Sequence, residues 1–311
     1  MAVLMQTIPF FAIIALGFGA ARAGAFPPEA TAWLTRFVFY FALSAMLLRF
    51  SATLGLKEVW SAPFVGAYLS ATGLVWALAR GAARARGVEP RAAAMEAQCA
   101  VVGNVGFLGI PMLALLLGPA AIGPVMLVLA TDLIVFGTLI VVAVTGTGAG
   151  AALPALRAAA LGLARNPMIV SIAAGLAFAA SGLPMPAPAL AFLELLGGAA
   201  TPGALFAIGA SLAVLKAERF AVPAWLALAK LVLHPAAVAV SALLVFEVEP
   251  YAASVMIAAA ALPVAGNVYM IAAHYGVAPG RVSAAILIST ALSVVTVTAV
   301  IALLAARMAG G

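Results

Sequence analysis

Two apolar segments are each interrupted by asparagine, glycine and proline. Proline removes one amide donor and frees the carbonyl one turn before it, and a break in a helix persists inside a membrane only where protein, water or a ligand satisfies the freed groups. An asparagine amide has two donors and two acceptor lone pairs, so it can brace such a break or hold a polar ligand. The residues predicted to bind a ligand are Gly103, Asn104, Val105 and Pro111 in the first segment and Pro263, Gly266, Asn267 and Tyr269 in the second.

The position of the two breaks decides what kind of ligand they suit. If they cross, the helices that restart at Asn104 and Asn267 point two N-termini at one place, and the partial positive charge of a helix N-terminus attracts an anion. The competing interpretation is that each motif is only a packing kink, because glycine and proline are common in transmembrane helices. The presence of two matching motifs favours the anion site.

Three ionisable side chains are expected at membrane depth, where charge is costly and commonly functional. Asp132 could pair with a cation, take up a coupling proton or make a single polar contact. Lys230 and His234 are four residues apart and therefore share a helical face. This pair suits an anionic ligand, and the histidine could carry protons. The alternative is a lysine that extends to the membrane surface or pairs with Asp132.

Other polar residues lie nearer the ends of the apolar segments. Glu96 and Gln98 are candidates for coupling or charge compensation, although an interfacial role is favoured for Glu96 and for Glu194, because charge is inexpensive at a span end. Arg36 is predicted to extend its long side chain to the cytoplasmic surface.

The composition indicates a polytopic membrane protein. Of 311 residues, 67% are hydrophobic and 8% are charged, and the mean hydropathy is +1.25. The net charge of +6 does not indicate nucleic-acid binding, because the basic residues are scattered as membrane-flanking residues are. No metal, nucleotide or catalytic motif is present, so we expect no cofactor and no enzymatic activity, and transport would have to be driven by a gradient.

Apolar segments of about 20 residues predict transmembrane helices. The sequence therefore predicts an all-α protein with ten spans, of which the fourth and ninth carry the two breaks. The predicted spans are 3–21, 31–50, 60–79, 93–117, 120–145, 166–183, 189–214, 222–246, 251–275 and 282–306.

Loop charges predict the orientation, because lysine and arginine are retained in the cytoplasm. Alternate connections are rich in these residues, which places both termini outside. The predicted cytoplasmic residues are Arg22, Arg80, Arg84, Arg86, Arg91, Arg157, Arg165, Lys216, Arg219 and Arg281, and the predicted outer ones are Arg49, Lys57 and Arg307.

An inverted repeat follows from the odd number of spans in each half. The proposed halves are residues 1–150 and 151–311, joined by a Gly, Ala and Thr connector at 145–153. An offset of 163 residues aligns Asn104 with Asn267 and also aligns the starts of spans one and three (Val3, Trp60) with those of spans six and eight (Asn166, Pro223). Inverted repeats with discontinuous helices at the midplane are typical of secondary transporters.

The sequence resembles the auxin efflux carrier family. The similarity lies in the run from Asn104 to Pro111, in Leu262-Pro263-Val264-Ala265-Gly266-Asn267 with the following Ala272 to Gly276, and in the segments Gln6 to Arg22 and Pro202 to Leu212. The resemblance implies two inverted five-helix repeats whose fourth and ninth helices cross at prolines. It also implies a scaffold part made of spans one, two, six and seven, and a transport part made of the other six.

The resemblance further implies the substrate class and the assembly. Members of the family carry organic anions, among them auxin and dicarboxylates such as malonate or malate. This chain lacks the long hydrophilic loop of many plant members, which favours a short prokaryotic type in the bacterial inner membrane. A homodimer through the scaffold helices is expected.

Three functional hypotheses remain open at this point. The leading one is a secondary transporter of a small organic anion that works by an elevator-type movement. The second is a sodium-coupled symporter of the bile acid type, in which Glu96, Gln98 and the carbonyls near Asn104 would supply oxygen ligands. The third is a channel or a non-transporting membrane module.

Overall fold

The computed structural model describes residues 2–53, 61–145, 152–214 and 221–310. These residues form helices joined by short turns, and they contain no β-strand. The helices are α1 (Ala2–Arg22), α2 (Pro28–Thr53), α3 (Ala62–Ala85), α4 (Pro90–Val101), α5 (Val105–Leu117), α6 (Pro119–Thr145), α7 (Ala152–Ala164), α8 (Pro167–Ala180), α9 (Ala187–Val214), α10 (Ala221–Val245), α11 (Pro250–Ala260), α12 (Gly266–Tyr275) and α13 (Pro279–Gly310).

The all-helical prediction is confirmed for these residues. Within them, six helices (α2, α3, α6, α9, α10 and α13) are individually long and apolar enough to cross a membrane, and α7 with α8 makes a seventh if their 64° bend belongs to one span. Shorter apolar helices occur at Thr7–Arg22, Val105–Leu117 and Pro250–Ala260. The protein is therefore a multi-pass membrane protein, and the count of ten spans stays a prediction.

The two predicted breaks divide their segments into pairs of helices. The fourth predicted span is α4 followed by α5, and the ninth is α11 followed by α12. Helix α7 was not predicted, because its residues were assigned to a connection between spans. The proposed boundary at residues 146–151 lies outside the described residues, as do Lys57, Trp60, Lys216 and Arg219.

Glycines let two pairs of helices pack with their backbones in contact. An added Cβ at Gly17 of α1 would overlap the Phe206 carbonyl of α9, and one at Gly209 would overlap the Ile14 carbonyl of α1. In the same way, a Cβ at Gly175 of α8 would overlap Ser51 of α2. Small residues allow such close approach where lipid gives no hydrophobic driving force for helix association. These contacts join α1 to α9 and α2 to α8.

Hydrogen bonds of the Ser241 side chain join α3 to α10. The Ser241 hydroxyl lies 3.1 Å from that of Ser70 and donates to the Ala67 carbonyl over 3.0 Å. Two of the π-helical turns of the protein, Asp132–Phe136 in α6 and Ala229–Leu233 in α10, contain the ionisable residues Asp132 and Lys230. Such turns widen a helix locally and are frequent at functional sites.

Candidate functional site

The two helix breaks cross, and their backbones hydrogen-bond to each other. The Asn104 amide donates to the Pro263 carbonyl over 2.8 Å, and the Ala265 amide donates to the Val102 carbonyl over 3.1 Å. Gly103 and Val264 form an antiparallel β-bridge between them. The crossing thereby supplies partners for backbone groups that the broken helices leave unpaired, which is the condition for non-helical backbone inside a membrane.

Each crossing segment leads directly into the N-terminus of a helix. Asn104 is the N-cap residue of α5, and Ala265 is that of α12, and neither end has a side-chain cap. Because the first amides of a helix lack partners within the helix, two donor-rich and partly positive ends meet near the crossing. The break itself consists of residues 102–104, whereas Pro111 lies inside α5.

A cavity of about 1150 Å³ lies beside the crossing. Its lining comes from nine helices, namely α2, α4, α5, α6, α7, α8, α9, α12 and α13. Among the residues predicted to bind a ligand, the prolines do not line it, although the Pro263 carbonyl braces Asn104. The predicted residues that do line it are Gly103, Asn104, Val105, Gly266, Asn267 and Tyr269.

The two asparagine side chains have hydrogen-bonding capacity to spare. Asn104 is 8% exposed, and its amide makes no side-chain hydrogen bond to any described residue. The Asn267 Oδ1 atom is buried and has no partner among the described residues. Because an unpaired buried polar atom is costly, the Asn267 Oδ1 atom indicates a place where a polar partner binds. The Asn104 amide lines the same cavity and is free to bind a ligand there.

A comparison with known proteins identifies the family of the chain. The pattern of a family described as "Membrane transport protein" matches residues 2–153 and, a second time, residues 151–301. The chain belongs to this family. The predicted resemblance is thereby confirmed, and the protein is a membrane transporter and not an enzyme. One relative, a protein of Rhizobium meliloti that is named for malonate transport, is 35% identical over 306 residues, which cover 96% of this chain and 94% of the relative.

Among the described residues, the charged side chains that line the cavity of the transporter are Asp132 and Arg36. The Tyr68 hydroxyl donates to Asp132 Oδ1 over 2.8 Å, and Asp132 Oδ2 is buried without a partner in the described part of the chain. Arg36 is exposed, and its guanidinium lies 5.4 Å from the centre of the Trp33 ring. The cavity therefore presents one cationic side chain to a ligand, from α2.

Gln98 also lines the cavity of the transporter, and its amide is held by two neighbours. Its Oε1 accepts from Trp76 Nε1 over 3.3 Å, and its Nε2 donates to the Phe136 carbonyl over 3.1 Å. Because these bonds occupy both ends of the amide, Gln98 fixes the position of α4 against α3 and α6. No bond to a ligand is needed to satisfy it.

Lys230 and His234 lie next to the crossing but are not among the residues that line the cavity. Lys230 Nζ donates to the carbonyl of Ala260 at the end of α11 and lies 3.3 Å from His234 Nδ1. His234 Nε2 in turn lies 3.0 Å from the Thr72 hydroxyl of α3. Both residues are completely buried, so Lys230 does not extend to the membrane surface. It also forms no ion pair with Asp132 within 4.0 Å.

Glu96 is held in an ion cluster away from the cavity. Its carboxylate is 2% exposed and pairs with Arg86, which follows α3, and with Arg281 near the start of α13. The two arginines are about one third exposed, and they come from connections predicted to be on the same side of the membrane. This cluster joins α3, α4 and α13. Glu194 is exposed and pairs with Arg49 over 3.0 Å.

Sequence reasoning missed Tyr68 and Thr72, which complete the buried polar cluster of the transporter. They are four residues apart on α3 and share the face that meets Asp132 and His234. That spacing was a usable signal, because a tyrosine and a threonine one turn apart inside an apolar segment need partners.

Proposed function

We propose that the protein is a secondary transporter of a small organic anion that binds at the crossing of α4–α5 with α11–α12. The observation that carries this proposal is the pair Asn104 and Asn267, whose unpaired amides line one cavity at the N-termini of two helices. An anion accepts hydrogen bonds from asparagine Nδ2 and from first-turn amides, and it is stabilised by the two helix dipoles.

The substrate we propose is a small carboxylate, and the first candidate is a dicarboxylate such as malonate. The relative named for malonate transport, which aligns along almost the whole chain, supports this class. Arg36 adds a cationic side chain from α2 to the lining of the cavity, so a second carboxylate would find a partner there. Auxin-like monocarboxylates are the alternative within the same site.

We propose that transport occurs by movement of one group of helices against another. The scaffold consists of α1, α2, α8 and α9, whose close glycine contacts hold them together. The transport part consists of α3 to α6 and α10 to α13. Within it, the Glu96 cluster joins α3, α4 and α13, and the serine contacts join α3 to α10. The cavity lies between these groups, where alternating access requires it to be.

We further propose that the chain consists of two repeats and that the cavity faces the cytoplasm. Two matches of the family pattern, over 2–153 and 151–301, support two repeats. The cavity lining includes Arg36, Asn166 and Pro279, which flank connections that carry arginine, and by the charge rule the cavity opens to the cytoplasm. The protein resides in a bacterial inner membrane with both termini outside, as a homodimer through the scaffold helices.

Uptake of labelled malonate, malate and indole acetate into proteoliposomes tests the proposal. We expect saturable uptake that unlabelled substrate inhibits and that stereoisomers inhibit unequally. Uptake that rises linearly with concentration would indicate a pore, and uptake that requires sodium would favour the bile acid type of symporter.

A further inference from the structure

Asp132 brings a carboxyl group into the lining of the cavity that is proposed to hold an anion. The residue is 4% exposed, and its two oxygen atoms have different surroundings. The Tyr68 hydroxyl donates to Oδ1 over 2.8 Å, whereas Oδ2 is buried and has no hydrogen-bond partner among the described residues. One oxygen is therefore bonded within the protein, and the other is left for a partner that the described part of the chain does not supply.

An ionised Asp132 would oppose the binding of an anion. Two carboxylates that share a buried site repel each other, and such a pair holds a proton instead. An ionised carboxyl group also has no donor, so its Oδ2 and a carboxylate of the ligand would face each other as two acceptors. A protonated Oδ2 removes both difficulties, because its O–H donates to the ligand in a charge-assisted hydrogen bond. The contact from Tyr68 suits this form, since Oδ1 then accepts as the carbonyl oxygen.

The charged and titratable neighbours of Asp132 leave its Oδ2 unpaired. On α3, Tyr68 is bonded to the other oxygen. On α10, Lys230 and His234 are completely buried, and Lys230 forms no ion pair with Asp132 within 4.0 Å. On α2, Arg36 lines the same cavity and is exposed. The other titratable side chains in the cavity lining are those of Tyr269 and Tyr275 on α12.

We propose that Asp132 binds the substrate as a carboxylic acid whose Oδ2–H donates to a carboxylate of the anion, so that one proton moves with each anion. The proton comes from water on the side at which the anion enters. When the anion leaves on the other side, the carboxyl group loses its acceptor and returns the proton to water there. A dicarboxylate with two negative charges thus crosses with a net transfer of one. This inference rests on the proposed function, because it assigns the coupling of the same site.

The affinity for malonate, measured against pH, tests for this proton. Above about pH 7 both carboxylates of malonate are ionised, so a change in affinity reports on the protein. We expect the wild-type affinity to fall as the pH rises and to approach a loss of about tenfold for each pH unit, because one proton must then be taken up with each anion. Asp132→Asn carries a donor that does not titrate, and its affinity should stay constant. Glu194→Gln, which changes an exposed carboxyl group on α9, should keep the wild-type profile.

Tyr68→Phe tests the same proton from the other oxygen. It removes the donor to Oδ1, which favours the ionised carboxylate, so the affinity should begin to fall at a higher pH than in wild-type protein. In proteoliposomes, a proton gradient directed inward should accelerate malonate uptake by wild-type protein and not by Asp132→Asn. A flat wild-type profile, a falling profile in Asp132→Asn, or wild-type affinity that rises with sodium at constant pH would overturn the proposal.

Infrared spectroscopy separates the proton from the identity of the substrate. Acidification of the protein without malonate should produce the C=O stretching band of a protonated carboxyl group that is missing from Asp132→Asn and present in Glu194→Gln. If malonate does not bind wild-type protein, the proposed substrate fails, and this band still decides whether Asp132 takes up a proton. Spectra of wild-type protein and Asp132→Asn that do not differ in this band would overturn the proposal.

Discussion

The carbonyl of Val102 accepts a hydrogen bond from the amide of Ala265 over 3.1 Å, and these residues are 163 positions apart. The same offset separates Asn104 from Asn267. The backbone contact at the centre of the crossing therefore joins equivalent positions of the two proposed repeats. This relationship explains how two asparagines from opposite halves of the chain reach one cavity.

Replacement of either asparagine should remove substrate binding without unfolding the protein. Neither side chain has a partner among the described residues, so Asn104→Ala and Asn267→Ala lose no internal hydrogen bond. Loss of a hydrogen bond to a charged ligand costs about 1.5–3 kcal/mol, roughly a tenfold to hundredfold loss of affinity. Malonate binding by calorimetry and melting temperature measure the two effects. Unchanged affinity in both variants would contradict the assigned site.

Two glycines at the crossing should respond differently to alanine. A Cβ on Gly103 would lie 3.2 Å from Lys230 Nζ and 3.3 Å from its Cε, and the Ala260 carbonyl restrains that ammonium. Gly103→Ala should therefore lower stability by about 1–3 kcal/mol, as overpacking does. A Cβ on Gly266 meets nothing within 4 Å and adds volume to the cavity wall.

Gly266→Ala is thus the matched variant for Gly103→Ala. We expect it to melt like wild-type protein but to bind malonate more weakly, because the methyl group takes space from the ligand. Equal melting temperatures for the two variants would show that Lys230 does not pack against Gly103 as described. Differential scanning fluorimetry in detergent is sufficient to compare them.

The ion cluster around Glu96 should stabilise the packing of α3, α4 and α13, which belong to the proposed transport part. Glu96→Gln leaves Arg86 and Arg281 without their shared carboxylate, and we expect a loss of about 3 kcal/mol, the low end for a broken buried ion pair, because both arginines reach water. Glu194→Gln breaks the exposed pair with Arg49 and should change stability by about 1 kcal/mol or less. Chemical denaturation of both variants gives the comparison. A larger effect at Glu194 would be inconsistent with these burials.

Close packing of α1 against α9, two helices of the proposed scaffold, should depend on Gly209. An alanine there would place its Cβ against the Ile14 carbonyl of α1, so Gly209→Ala should lower stability by about 1–3 kcal/mol or separate α1 from α9. Gly19→Ala changes a glycine of α1 that meets nothing within 4 Å and should be neutral. Thermal unfolding measures both. A neutral Gly209→Ala would show that α1 and α9 do not approach so closely.

Arg36 should matter for anions with two carboxylates. Arg36→Gln removes the cationic side chain from the cavity wall, and we expect KM for malonate to rise about tenfold, equal to the loss of one charge-assisted hydrogen bond. Arg36→Lys should recover part of the affinity, because it keeps the charge. Arg22→Gln, which does not line the cavity, should transport like wild-type protein. An unchanged KM in Arg36→Gln would indicate that the guanidinium extends to the membrane surface, as the sequence predicts, and does not bind the substrate.

The sequence alone predicted a helical membrane protein, its family and the two motifs at the crossing. Apolar segments near the length of a bilayer predict helices because the backbone must bond within itself in lipid. The breaks at Asn104 and just before Asn267 were visible because glycine and proline interrupt those segments. Helix α7 was missed, since its residues were assigned to a connection between spans.

Only the tertiary structure decided what the polar residues do. The sequence left Lys230 free to pair with Asp132, to extend to the surface or to face an anion, because periodicity gives the face of a helix and not its neighbour. Packing of α10 against the crossing placed its ammonium on the Ala260 carbonyl. Glu96 likewise pairs with Arg281, which is 185 residues away in the sequence and comes close only in the folded chain. Such long-range partners depend on how the helices pack, which the spacing of residues along one helix does not specify.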